Sequence, residues 1–93
     1  MIRAIVQYES EPDPERYAQH LAEYTAPVEC AAFRHGRVTG APMGEPAHAY
    51  YAEWEFADED AFKTATRSEE FMATGKDAMN MGGKFTVMFA DVD

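Results

Sequence analysis

The run AHAYYAEWEF, residues 47–56, alternates without a break. His48, Tyr50, Ala52, Trp54 and Phe56 fall on one side of an extended chain; Tyr51, Glu53 and Glu55 fall on the other. Successive strand side chains point to opposite faces, so this segment commits the chain to a sheet with one apolar and one mixed face. Three further segments read as strands. MIRAIVQY sets Ile2, Ala4, Val6 and Tyr8 against Arg3, Ile5 and Gln7, AAFRHGRVTG covers 31–40, and KFTVMFADV closes the chain over 84–92.

Helix signals separate them. Asp13 is an N-cap whose carboxylate accepts from the free amides of a first turn, and Pro14 suits a position that needs no donor. Pro27 pushes Ala26 out of the helical region, so this helix stops near Thr25. Asp58 and Ser68, each followed by acidic residues, predict helices over 58–66 and 68–81, the second ended by Gly82 and Gly83. The order β-α-β-β-α-β predicts an α+β, ferredoxin-like fold: a four-stranded antiparallel sheet with helices on one face. Ninety-three residues make one domain, 1–93, with a single core layer.

The strands give two sets of side chains. Ile2, Ala4, Val6, Tyr50, Ala52, Trp54, Phe56, Phe85, Val87 and Phe89 belong under the helices. Arg3, Ile5, Gln7, Phe33, His35, Arg37, Tyr51, Glu53, Glu55, Thr86 and Met88 form the other face. A face meant only for water has no need of Ile5, Phe33, Tyr51 and Met88, and clustered apolar groups mark contact sites. The expectation is a homodimer joined through Arg3, Ile5, Phe33, Arg37, Tyr51, Glu53, Glu55 and Met88, with Arg3 or Arg37 countering the two glutamates.

The first helix carries rings. At about 100° per residue, Tyr17, His20, Leu21 and Tyr24 share one side of YAQHLAEYTAP. One reading makes Tyr17, His20, Tyr24 and Thr25 the border of a ligand pocket over Tyr50 and Trp54. His20 is then its general base, since imidazole titrates closest to neutrality. The other reading makes them core residues with satisfied polar atoms. Met72 and Met79, seven apart on the last helix, suit either a pocket wall or an irregular core.

Other classes find no support. A net charge of −9 disfavours nucleic acid and anionic membrane surfaces, which select clustered Lys and Arg. No run approaches the roughly 20 apolar residues of a membrane span. His20, His35 and His48 lack the close spacing of a metal site. Cys30, the only cysteine, makes neither an internal disulfide nor a multi-cysteine site. GAPMG lacks the features of a phosphate loop, and no nicotinamide or flavin fingerprint appears, so no cofactor is expected. The absence of a basic then apolar leader in MIRAIVQYESEP points to the cytoplasm.

Over essentially its whole length the chain resembles the EthD family, named for ethyl tert-butyl ether degradation, within the dimeric α/β-barrel superfamily. The likeness rests on the opening strand, the element order, the region around Asp58, Ala61 and Phe62, and the first helix. There Tyr17, His20 and Pro27 match the family's helix pattern. Leu21 stands where an aromatic is usual, and Thr25 where a histidine is expected. The resemblance implies homodimers whose sheets pack face to face into a barrel. It names no reaction. The leading expectation is a homodimer that binds a small, mostly apolar or aromatic molecule. Its catalytic form is a cofactor-free oxygenation, isomerisation or proton transfer in catabolism or secondary metabolism. The alternative is a non-catalytic accessory or structural dimer.

Overall fold

Asp13, Asp58 and Ser68 start helices in the structure. In this computed structural model, which describes residues 1–93, Asp13 Oδ2 accepts from the Arg16 amide at 3.0 Å. Asp58 Oδ1 accepts from the Ala61 amide at 2.8 Å, and Ser68 Oγ from the Phe71 amide at 3.2 Å. Such a cap satisfies one of the orphan amides of a first turn. The elements are β1 (Ile2–Tyr8), α1 (Pro14–His20), β2 (Ala32–Arg37), β3 (Tyr50–Phe56), α2 (Glu59–Thr66), α3 (Glu69–Asn80) and β4 (Phe85–Asp91). Gly82 and Gly83, both at φ +79°, turn the chain from α3 into β4 in a region that side chains with a Cβ rarely enter.

α1 does not end at His20. Leu21–Thr25 continues it as a π-helical turn, in which the Ala26 amide donates to the Leu21 carbonyl at 2.8 Å. A regular helix places Thr25 about 80° from Tyr17. The wider i→i+5 turn brings it back to the inward side, where it is buried.

The sheet order is β2-β3-β1-β4, with every pair antiparallel. This is the ferredoxin-like arrangement, and the fold is α+β. Under the helices, Ala4, Val6, Tyr8, Ala52, Trp54 and Phe56 form the sheet half of the core; Tyr17, Val28 and Ala65 close it from above. Phe56, 1% exposed, meets Phe62 of α2 edge-on at 5.6 Å. Met72 and Met79 join neither a pocket wall nor the core: both stand exposed on α3. β4 is an edge strand on which Val87, Met88 and Phe89 are all largely exposed, although the Phe89 ring meets Phe62 of α2 edge-on at 4.9 Å.

The register corrects the assignment of β2. Phe33 pairs with Trp54, His35 with Ala52 and Arg37 with Tyr50, which puts all three on the helix-covered side. Phe33 and Arg37 therefore do not belong to the open face. The Phe33 ring packs on Trp54 at 5.1 Å, and Arg37 pairs with Glu11 at 2.7 Å. A one-residue change of phase exchanges the faces of a strand, and Arg34 takes the place expected for Arg37. On the open face Glu53 and Glu55 lie between two guanidiniums. Arg3 of β1 reaches them at 3.6 and 3.3 Å, and Arg34 of β2 at 3.6 and 3.5 Å.

Candidate functional site

α1 docks on α3 through a polar network. Asp77 of α3 accepts from both Arg16 amino groups, Nη2 to Oδ1 at 2.7 Å and Nη1 to Oδ2 at 3.1 Å. His20 Nδ1 donates to Asp77 Oδ2 at 2.8 Å. On the other edge of that ring, Nε2 lies 3.4 Å from Thr74 Oγ1, which in turn is 3.2 Å from Thr25 Oγ1. The Arg16 hydrogen bonds, and then that of His20, hold the Asp77 carboxyl below its ordinary range against the opposing effect of burial. His20, Thr25, Thr74 and Asp77 are all buried. Every polar side-chain group of the network is partnered, as buried polar groups require.

On the sheet side of α1 the arrangement differs. Tyr17 lies edge-on to Tyr50 at 5.4 Å, to His35 at 5.7 Å and to Tyr8 at 5.8 Å. Its other ring contact is the His20 imidazole, stacked at 5.7 Å. Tyr17 is only 5% exposed, and its Oη, beside the Tyr8 phenol, makes no hydrogen bond of full geometry. Burial, then the neighbouring Tyr8 phenol, drive its pKa far upward, so the hydroxyl keeps its hydrogen. A cleft of about 180 Å³ opens at this point, walled by Pro12, Pro14, Ala18 and Leu21 and bounded on the sheet side by Tyr17, His35 and Tyr50.

Of the six residues expected at a pocket, Tyr17 and Tyr50 line this cleft. Tyr24 stacks on the far side of His20 at 6.2 Å. His20 and Thr25 turn instead toward α3. Trp54 lies between Phe33 and Phe71, with its indole N–H unpartnered. His35 is the cleft residue that the sequence reading missed, because β2 was given the wrong phase. A larger groove of about 570 Å³ lies between residues 27–31 and α2, floored by Phe56 and Ala65. It is lined by the carboxylates of Glu29, Asp60 and Glu70 and by the Cys30 thiol but contains no imidazole or phenol; the smaller cleft is where a histidine and a tyrosine hydroxyl meet. No three His, Cys, Asp or Glu side chains converge as a metal site. No helix is long and apolar enough to cross a membrane.

No family model matches the chain, and no curated protein matches it in sequence. Solved structures do. An EthD family protein from Bacillus halodurans C-125 superposes with a TM-score of 0.80 at 29% identity, over 100% of this chain and 99% of that one. A dimeric ferredoxin-like protein of unknown function from Jannaschia sp. CCS1 gives 0.73 at 18% identity, over 98% of both chains. Hydroxynitrile lyase from Passiflora edulis gives 0.74 at 18% identity, covering 99% of this chain and 93% of that one. The last two likenesses are of fold alone. Over its full length, at 29% identity and with the same ferredoxin-like architecture, this chain is similar to the EthD family protein of Bacillus halodurans.

Proposed function

We propose that this chain acts as a homodimer that holds a small, mostly apolar organic molecule in the cleft between α1 and the sheet, and carries out a proton-transfer, isomerisation or oxygenation step there. The observation that carries the reading is the Tyr17 hydroxyl. It belongs to a buried residue of the cleft wall, is itself sealed from solvent, and makes no hydrogen bond of full geometry, with only the Tyr8 phenol beside it. An unmade hydrogen bond of that kind costs about 1–3 kcal/mol, a cost that a ligand acceptor removes. Apolar walls with a few placed polar tips are the usual make-up of small-molecule sites.

The dimer half of the proposal rests on the open sheet face. Ile5, Tyr51 and Met88 lie among the charges of Arg3, Arg34, Glu53 and Glu55. A standard interface buries about 1,600 Å² in total, and this face offers an uninterrupted sheet surface of mixed chemistry. The Jannaschia protein of the same fold is described as dimeric.

A second reading, a dimer without catalysis, is favoured by the saturation of His20, whose two ring nitrogens both face protein partners. Native mass spectrometry of the purified protein separates the two. The binder carries a small molecule that Leu21→Trp, which fills the cleft, excludes. A protein with nothing bound, or with a molecule that Leu21→Trp retains, overturns the cleft assignment. Light scattering coupled to gel filtration must give twice the chain mass; a monomer removes the dimer.

A further inference from the structure

His35 and Tyr50 stand on neighbouring strands of the helix-covered face, diagonal to each other in the β2–β3 register. His35 Nδ1 and Tyr50 Oη are 2.6 Å apart, and the two rings lie at 6.0 Å. Both border the same cleft as the Tyr17 ring, whose hydroxyl is buried beside the Tyr8 phenol. Two hydrogen-bonding groups thus gather on the sheet side of a cavity whose remaining walls are Glu11, Pro12, Pro14, Ala18, Leu21 and the Tyr17 ring.

The charges at the mouth narrow the ligand class. Arg37, beside Tyr50, is engaged by Glu11: Nη2 donates to Oε1 at 2.7 Å and Nε lies 3.2 Å from each carboxylate oxygen. With guanidinium and carboxylate answering each other, the cleft presents no uncompensated charge. Its chemistry suits an uncharged, compact molecule with an acceptor oxygen on one side.

Resting on the cleft reading above, we propose that His35 and Tyr50 form an acid–base pair acting on a small neutral carbonyl compound. When His35 Nδ1 donates to Tyr50 Oη, the hydroxyl hydrogen of Tyr50 is left for the carbonyl oxygen and Nε2 carries a lone pair. Nε2 takes a proton from the carbon next to the carbonyl. The C–H electron pair becomes the C=C bond of an enolate, whose oxygen charge accepts from Tyr50. The imidazole then returns a proton, either to the same carbon or to the far end of a conjugated system, and the C=O bond re-forms. The balance is an exchange or a migration of one proton, with no oxidant or reductant. His35 is exposed, which lets its proton exchange with water between the two steps. Burial, and then the Glu11 carboxylate, raise the Tyr50 pKa, which keeps the phenol in its donor form.

The probe is cyclohexanone in D2O, with methylenecyclohexane as the isostere that lacks the oxygen. Proton NMR follows loss of the hydrogens beside the carbonyl, and the Tyr17 and Tyr50 ring resonances report binding. The wild-type protein should exchange these hydrogens about a hundredfold faster than buffer. His35→Phe should bind cyclohexanone but exchange it at the buffer rate. His35→Gln, which keeps a partner for Tyr50, should behave likewise, and thermal melts establish that each variant is folded. Tyr50→Phe should weaken cyclohexanone binding about fivefold while leaving the isostere unaffected. Cyclohexanone binding with exchange no faster than buffer, or exchange undiminished in both His35 variants, overturns the pair and leaves the cleft standing. If neither compound perturbs the rings, the cleft reading falls and takes the pair with it.

Discussion

His20 Nδ1 lies 2.8 Å from Asp77 Oδ2, fifty-seven residues away in the chain. An ionised carboxylate only accepts, so this contact settles which nitrogen of the imidazole carries a hydrogen toward α3. It also makes Asp77 the hub of the α1–α3 junction, because the same carboxylate takes two hydrogen bonds from Arg16.

Asp77→Ala leaves the buried imidazole without its acceptor. An unsatisfied buried group costs about 1–3 kcal/mol, and urea unfolding should register a loss in that range. A variant as stable as the parent removes the network from the list of what holds α1 on α3.

The same carboxylate gives stability an acid limb. Its pKa is lower folded than unfolded, so the unfolded state binds the proton more readily. The contribution is fully present above the unfolded carboxyl pKa of about 3.9. It is lost as pH falls through the lower folded value. Asp77→Asn should therefore show a shallower fall of melting temperature than the parent below about pH 4. Parallel curves would refute this.

Tyr17→Phe trades binding for stability. The change removes a buried hydroxyl that makes no hydrogen bond of full geometry, so the ligand-free protein should gain about 1 kcal/mol in denaturant unfolding while retaining less of any co-purified molecule. A destabilised variant would mean that the hydroxyl has a role within the fold.

Two substitutions calibrate the core. Phe56→Ala empties the most enclosed large side chain and should cost about 3–5 kcal/mol. Met79→Ala, at a position 71% exposed, should stay within about 0.5 kcal/mol. Thermal unfolding of both measures the difference.

At the proposed dimer face, Arg34 rather than Arg37 is the partner of Glu53 and Glu55. Arg34→Ala should raise the dimer dissociation constant about tenfold, or about 1.4 kcal/mol, in analytical ultracentrifugation, while Arg37→Ala leaves it unchanged. The opposite ranking would place the interface elsewhere.

What the sequence made legible was local chemistry. Asp13, Asp58 and Ser68 lie beside the amides they cap, and β1 and β3 alternate strongly enough to declare their faces. The stretch Phe33-Arg34-His35-Gly36-Arg37 does not alternate in that way, since each phase contains one arginine. Its register is set by pairing with β3, and the wrong phase concealed the meeting of His35 with Tyr50. A second signal lay in Phe33, which as the large apolar residue of β2 had reason to seek Trp54. The π turn left no trace, because one i→i+5 hydrogen bond among α-helical neighbours has no sequence period of its own. The contact of Arg16 with Asp77 joins residues sixty-one positions apart, beyond the reach of any local pattern.

β4 carries a colloidal consequence. An outer strand with Val87 and Phe89 largely exposed presents free backbone groups and apolar side chains, the template on which chains stack edge to edge. Lys84 at one end, and Asp91 and Asp93 at the other, act as gatekeepers. The net charge of −9 adds long-range repulsion between molecules. Near the isoelectric point, about 4.6, that repulsion vanishes while the strand remains. Mild acid is thus the condition in which this protein is expected to precipitate through β4, and salt, by screening the same repulsion, should carry that tendency toward neutral pH.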